Sequence, residues 1–188
     1  MRLPGALDGR LREIVRMGHP VLRERAAEVA GERFGTRFLR DLGRDLIRTM
    51  HEGSGVGLAA PQIAVPLRML AYYVPAEDAT PEQPARVLVN PRLTLFGQPD
   101  EPGWEGCLSI PGLRGLVPRH ARLRVEAVDV DGTPLGFEAE GFHARVIQHE
   151  YDHLDGILFL DRMPTMADLY YEEEWDRYAG RKELPVEV

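Results

Sequence analysis

Residues 149–153 read His-Glu-Tyr-Asp-His, two imidazoles four positions apart with a carboxylate between them. On an α-helix positions i and i+4 stand one above the other, so both rings reach one ion, the arrangement used in metal-assisted hydrolysis. Glu150 lies about 100° round the helix from His149, close enough to meet a water on that ion without binding the ion itself. Such a pair needs a third ligand and a position kept for solvent. The chain has a single cysteine, Cys107. A lone cysteine ordinarily reads as a small buried hydrophobe. A helix that offers two ligands and lacks a third alters that reading, because thiolate suits zinc and ferrous iron and a Cys-His-His set leaves the fourth position open.

These groups need elements to hold them. A helix beginning at Gly141 puts Phe142, Val146, His149 and His153 on one stripe and Ile147, Tyr151 and Leu154 on a second, with Gln148, Asp152 and Asp155 on a polar third. Two apolar stripes predict a mostly buried helix, and burial would hold the histidines rigid. Cys107 sits in GWEGCLSIP, residues 103–111, bracketed by Pro102 and Gly112 and therefore a short extended piece. Residues 53–62, GSGVGLAAPQ, place three glycines in five positions, which permits close backbone approach or positive φ, and Pro61 keeps the chain from continuing as a helix. The stretch lacks the Lys-Ser/Thr ending of a phosphate loop and by itself reads as a flexible turn.

Around them, residues 36–50 carry Leu39, Leu42, Leu46, Ile47 and Met50 at helical spacing, with Thr36 as N-cap and Gly53 as terminator. Strands are predicted at 67–74, at 86–90 where Pro91 stops it, at 93–96, at 122–130 with a bulge near Ala127-Val128, at 135–139 after an Asp131-Gly132 turn, and at 157–160. Residues 2–35, interrupted by proline and glycine, read as an arm with short helical turns. Residues 164–188 form an acidic C-terminal tail, EEEWDRY included, read equally as an amphipathic helix or as a solvated end.

The 188 residues suit one domain spanning 1–188, and 44% hydrophobic content is enough for a core. A net charge of −7 without a lysine or arginine block argues against nucleic-acid binding through a basic surface. No apolar run approaches the roughly 18 residues of a membrane span, the N-terminus lacks a signal-peptide core, and the single thiol excludes an internal disulfide. A soluble cytoplasmic protein is expected.

Three separated blocks, GVGLAAPQ at 55–62, EGCLSIP at 105–111 and QHEYDHLDG at 148–156, resemble in content and order the three signature motifs of the peptide deformylases. The resemblance extends over at least residues 14–161. It implies an α+β fold with antiparallel sheets wrapped around the buried histidine helix. It also implies a hydrolase that removes the N-formyl group from the initiating methionine of newly synthesised proteins and releases formate. Carried over, it makes Cys107, His149 and His153 the metal ligands and Glu150 the acid/base residue. Gln62 and the backbone N–H of Leu108 would meet the formyl oxygen.

In the same pattern Gly57 helps line the substrate groove and Arg114 lies at its mouth. Gly55 and Gly57 would let the loop close over the substrate, and an extended stretch that begins at Glu105 and runs to Ile110 would let a peptide pair along its edge. Val56, Phe142 and Val146 would supply the methionine pocket. The implied ion is Fe2+, with Zn2+, Ni2+ or Co2+ able to replace it in purified protein. The implied partners are nascent N-formylmethionyl chains, met transiently near the ribosome, with no membrane and no direct nucleic acid. Three departures stand out: Gly112-Leu113 replaces the more polar residues often found before Arg114, Arg145 occupies a helix position where relatives often carry an apolar residue, and the tail is acidic where some relatives end in a basic, ribosome-docking helix.

Two other readings compete. An ordinary HExxH metalloprotease would need a third ligand downstream, where Asp155 and Asp161 are the near candidates, Asp155 follows His153 too closely and no further histidine exists. A binding module that keeps the motifs without turnover is the second.

Overall fold

The computed structural model describes residues 8–76 and 82–179. After the 3-10 turns Pro20–Arg23 and Gly31–Arg33 comes helix α1, Arg37–Glu52. Its N-terminus is capped by the Thr36 side chain, which accepts from the Leu39 N–H, and Gly53 closes it. Strands β1 (Gly57–Ala59), β2 (Met69–Val74) and β3 (Gln83–Phe96) follow, then β4 (Glu101–Cys107), β5 (Ile110–Arg119), β6 (Arg122–Val128) and β7 (Pro134–Glu140). Helix α2, Gly141–Leu154, carries the histidines, and α3 (Phe159–Arg162), β8 (Leu169–Tyr171) and α4 (Glu172–Tyr178) complete the chain.

The strands form two antiparallel sheets, a five-stranded one in the order β1-β2-β3-β6-β7 and a three-stranded one in the order β4-β5-β8. Successive strand residues point to opposite faces, and β2 is apolar on both. Met69 and Ala71 join Leu39, Leu42, Leu46 and Met50 of α1, whereas Leu70, Tyr72 and Val74 join Ala144, Val146 and Ile147 of α2. The larger sheet is thus held between the two long helices, and α2 presents its remaining face to the smaller sheet. A third apolar cluster, with Leu22, Cys107, Ile110, Val117 and Phe159, packs where the smaller sheet meets the histidines of α2, the Phe159 ring stacking on His149.

The N-terminal arm lies along this frame as a strap. The Arg10 and Arg12 N–H groups donate to Asp45 (2.7 Å) and Thr49 (3.0 Å) of α1. The Val15 N–H donates to the Gln62 carbonyl and the Met17 N–H to the Ser109 carbonyl, both at 2.8 Å.

Several expected boundaries move. Pro91 does not end a strand: β3 continues through it, with Val89 opposite Val128 and Arg92 opposite Glu126. Asn90 and Pro91 therefore face Ala127 alone, a bulge made possible by Asn90 at φ 49°. The Asn90 side chain is anchored on the backbone of Val29, accepting at 2.8 Å and donating at 2.9 Å. The bulge expected near Ala127-Val128 thus belongs to the opposing strand, and β6 pairs with β7 without interruption. Residues 157–160 form no strand; Leu158 N-caps α3 and donates its N–H to Asp161 at 2.8 Å. Residues 103–111 are not one extended piece, since β4 turns at Leu108-Ser109 into β5, pairing Cys107 with Ile110. In the tail, β8 adds to β5 and α4 buries Trp175, while residues 180–188 lie outside the described residues.

Candidate metal centre

Helix α2 and the β4–β5 turn bring the predicted ligands together. The ligand atoms of Cys107, His149 and His153 all lie within 4.8 Å of one another, and all three residues are buried. Cys107 Sγ stands 3.4 Å from His153 Nε2. Thiolate and imidazole sharing one ion at ordinary bond lengths are separated by ~3.5 Å, so the donor set fits a single cation. The two imidazoles meet edge to face at 78°, centroids 5.1 Å apart.

His149 is oriented from behind. Its Nδ1 lies 2.9 Å from Glu105 Oε2, so Nδ1 carries the proton and Nε2 keeps its lone pair for the ion. Glu105 is itself gripped by Arg119, through Nε and Nη2 at 2.9 Å each, and by Arg145 Nη1 at 2.9 Å. Burial alone would raise the Glu105 carboxyl, but the charge and hydrogen bonds of Arg119, with those of His149, hold it well below the usual carboxylate range. Arg119 continues to Asp152 at 2.6 Å, and Asp152 to Arg162 at 2.7 Å. Buried charge here is paired at every step, the condition under which it is tolerated.

Glu150 is 1% exposed, and its Oε2 is a buried acceptor without a protein partner. Burial pushes its carboxyl up to about 7, the Glu105 charge adding to the shift while His149 and Arg119 oppose it. Gly57 lies flat against it: a Cβ there would stand 2.3 Å from Glu150 Oε1. The Gln62 side chain is fixed at both ends. Its Oε1 accepts from the Ala59 N–H at 2.8 Å, and its Nε2 reaches Cys107 Sγ (3.6 Å) and Ser109 Oγ (3.3 Å).

A groove of ≈ 210 Å³ opens beside the centre, walled by Gly55, Cys107, Leu108, Ile110, Arg114 and Glu172 among others. Cys107, His149, His153, Glu150, Gln62 and Leu108 therefore converge as expected from the motifs, with Gly55 and Arg114 on the groove wall. The Glu105 side chain is 0% exposed and faces inward to two arginines and His149, which leaves its backbone, on the edge strand β4, for the expected peptide edge. Val56, Phe142 and Val146, expected to supply the methionine pocket, pack into the apolar cluster between α2 and the larger sheet. Gly57, expected on the groove wall, lies against Glu150.

Sequence reasoning missed Ser109, Arg119, Asp152 and Arg162 as supports, and Glu172 as part of the groove. An arginine in an alternating strand carries no local sign of being buried; only its distant partners reveal it. Arg145, noted as an unusual residue, donates to the Glu101 and Val117 carbonyls (2.7 and 2.8 Å) besides Glu105. Gly103 makes room for it, since a Cβ there would lie 2.6 Å from the Arg145 guanidinium carbon.

A polypeptide deformylase family profile matches residues 11–168. The peptide deformylase 1 of Xanthomonas campestris is 45% identical over 166 residues, covering 87% of this chain and 96% of its own length. The peptide deformylase 1 of Bordetella pertussis is 46% identical over 163 residues, covering 85% and 92%. Among solved structures, the Met-Ala-Ser-bound class I type b peptide deformylase of Acinetobacter baumannii is similar at a TM-score of 0.77 and 35% identity, covering 82% of this chain and 99% of that one. The Thermotoga maritima peptide deformylase is similar at 0.73 and 33%, covering 83% and 99%. These proteins are metal-dependent hydrolases, and removal of the N-formyl group from an N-terminal methionine is the activity of their family. On sequence profile, full-length relatives and three-dimensional likeness together, the chain belongs to the polypeptide deformylase family.

Proposed function

We propose that this chain hydrolyses the formyl group from N-formylmethionyl ends of nascent polypeptides, with Cys107, His149 and His153 holding one divalent cation, Fe2+ natively. The observation that carries the reading is the convergence of those three ligand atoms beside the buried carboxylate of Glu150. A cation in that set supplies Lewis acidity and brings the pKa of water down to about 7.

The chain's own groups do the rest. Glu150 takes the proton of the attacking water and returns it to the departing amine. As the formyl carbon becomes tetrahedral, its oxygen gains negative charge, which the Gln62 Nε2–H and the Leu108 backbone N–H receive. One donor of this kind contributes ~3 kcal/mol in other enzymes. Gln62 is suited to the task because its Oε1 is already tied to Ala59, leaving the amide nitrogen turned toward Cys107. Peptide substrate runs along the groove beside Leu108 and Arg114, pairing with the end of β4 nearest Cys107; farther along β4 the Glu101 carbonyl already accepts from Arg145. That the Acinetobacter relative binds Met-Ala-Ser supports a short methionyl peptide as ligand.

Formate release from formyl-Met-Ala tests the reading. A deformylase yields formate and Met-Ala, a protease cuts between the residues, and a binding module does neither. Elemental analysis of protein purified without air assigns the ion, since iron can be displaced by zinc, nickel or cobalt during purification.

A further inference from the structure

On α2 the residues Arg145, His149 and His153 follow one another at intervals of four, so they share a face and stand ~6 Å apart along the axis. The β4 residues they meet follow at intervals of two, ~6.6 Å apart. His153 Nε2 lies 3.4 Å from Cys107 Sγ, and His149 Nδ1 lies 2.9 Å from Glu105 Oε2. The Arg145 guanidinium lies against Gly103, where a Cβ would stand 2.6 Å from its carbon. Helix and strand therefore keep step over three rungs, with the thiolate on the last. The first rung is pinned by three donations from Arg145, to the Glu101 carbonyl at 2.7 Å, the Val117 carbonyl at 2.8 Å and Glu105 Oε1 at 2.9 Å. Glu101 and Glu105 flank Gly103 on β4, and Val117 faces Gly103 on β5, so a guanidinium 7% exposed holds both strands of the hairpin at its base.

We propose that Arg145 is a positioning residue for Cys107: it sets the register of β4 on α2, so that the thiolate arrives beside two imidazoles carried by another element. The proposal rests on the metal-centre reading above and names what aligns its two halves. Without Arg145, Glu105 keeps the two-pronged hold of Arg119, so the hairpin loosens on the helix and does not slip a whole rung. The expected loss of metal affinity is therefore about tenfold, the low end for supports that stand behind metal ligands.

The test uses the full chain, stripped by chelator and reloaded with Co2+, as wild type, Arg145→Met, Gly103→Ala and the double variant. Chelator competition gives cobalt affinity. The visible d–d bands report an occupied site, and the sulfur-to-cobalt charge-transfer band reports the thiolate; a general loss of stability, followed by melting temperature, does not weaken the sulfur band alone. Arg145→Met is expected to bind cobalt about tenfold more weakly and, at saturating cobalt, to keep its d–d bands with a reduced sulfur band. Gly103→Ala is expected to do the same, because a guanidinium tied to three acceptors cannot turn aside without releasing them, and to add less than about twofold on the Arg145→Met background. Folded Arg145→Met with wild-type affinity and an unchanged sulfur band overturns the proposal, as does Gly103→Ala costing as much on that background as on wild type. Should Arg145→Met not fold, Gly103→Ala decides alone, and a wild-type cobalt spectrum and affinity in it overturn the proposal. A wild-type chain that takes up no cobalt overturns the ligand set instead, so the two failures are distinct.

Discussion

Substitution of Gly57 by alanine tests whether close packing alone aims the carboxylate of Glu150. An alanine Cβ at this position would stand 2.3 Å from Glu150 Oε1 and 2.6 Å from its Cδ and Cγ. Carbon and oxygen not bonded to each other settle no closer than ~3.3 Å, so one side must give by about 1 Å. Strand β1 is the stiffer side, since Gly57, Leu58 and Ala59 are all paired to β2. The carboxylate therefore moves. A displacement of ~1 Å in a reacting group costs on the order of 100-fold in rate, equivalent to about 2.7 kcal/mol. The crowding itself should cost about 1–3 kcal/mol of stability. Formate release gives kcat, while metal content and melting temperature check that the site still loads and the fold persists. The neighbouring Gly55→Ala is the comparison, because its Cβ would crowd the Leu108 side chain, at 2.8 Å from Cδ1, which can turn aside, and would meet the Gly57 carbonyl at an ordinary 3.4 Å. A folded, metal-loaded Gly57→Ala enzyme with kcat within about threefold of wild type would refute the reasoning.

Three more outcomes are expected. Cys107→Ala should lose both metal and turnover, whereas Glu150→Ala should keep the metal and lose turnover; elemental analysis beside the formate assay checks both, and normal metal content in Cys107→Ala would sink the ligand set. Glu105→Gln should weaken metal affinity roughly 10- to 100-fold, measured by chelator competition, because His149 loses its charged acceptor and Arg119 and Arg145 lose theirs. His143 packs on the Phe137 ring and lies 3.2 Å from the Tyr72 hydroxyl, and burial, with the Arg86 charge, pushes it down to about 4. Above about 6.5 the neutral ring is common to folded and unfolded chains, and as pH falls toward 4 only the unfolded chain takes up the proton, so stability is lost in that window. Melting temperatures of wild type and His143→Phe should diverge less at pH 7.5 than at pH 4.5 in the variant's favour; parallel profiles would contradict this.

The histidine helix was legible because four-residue spacing and two apolar stripes are local properties, and so was α1, whose Thr36 cap and Gly53 terminus are where the sequence puts them. Pro91 misled because a proline can sit inside a strand when a bulge removes the need for its N–H, and Asn90 in the left-handed region supplies that bulge. The four residues 157–160 are too few to separate a strand from a helical turn by periodicity. The deeper gap concerns charge. Glu105 next to the cysteine motif reads as solvent-facing until Arg119 and Arg145 are known to enclose it, and those contacts span 14 and 40 positions. Glu172 belongs to the groove only because β8 pairs with β5, a pairing that three residues of strand could not announce.

The strap formed by the N-terminal arm ties Val15 and Met17 to the backbone of Gln62 and of Ser109, whose side chains meet beside the thiolate. Its length fixes how far the amide and the hairpin can drift apart, and Val15 packs against the apolar cluster that contains Cys107. Shortening the gene at its front, or fusing bulk there, is therefore expected to blunt turnover from a distance. The same tie sets an order on synthesis: Val15 and Met17 find their backbone partners only once residues 62 and 109 have been made.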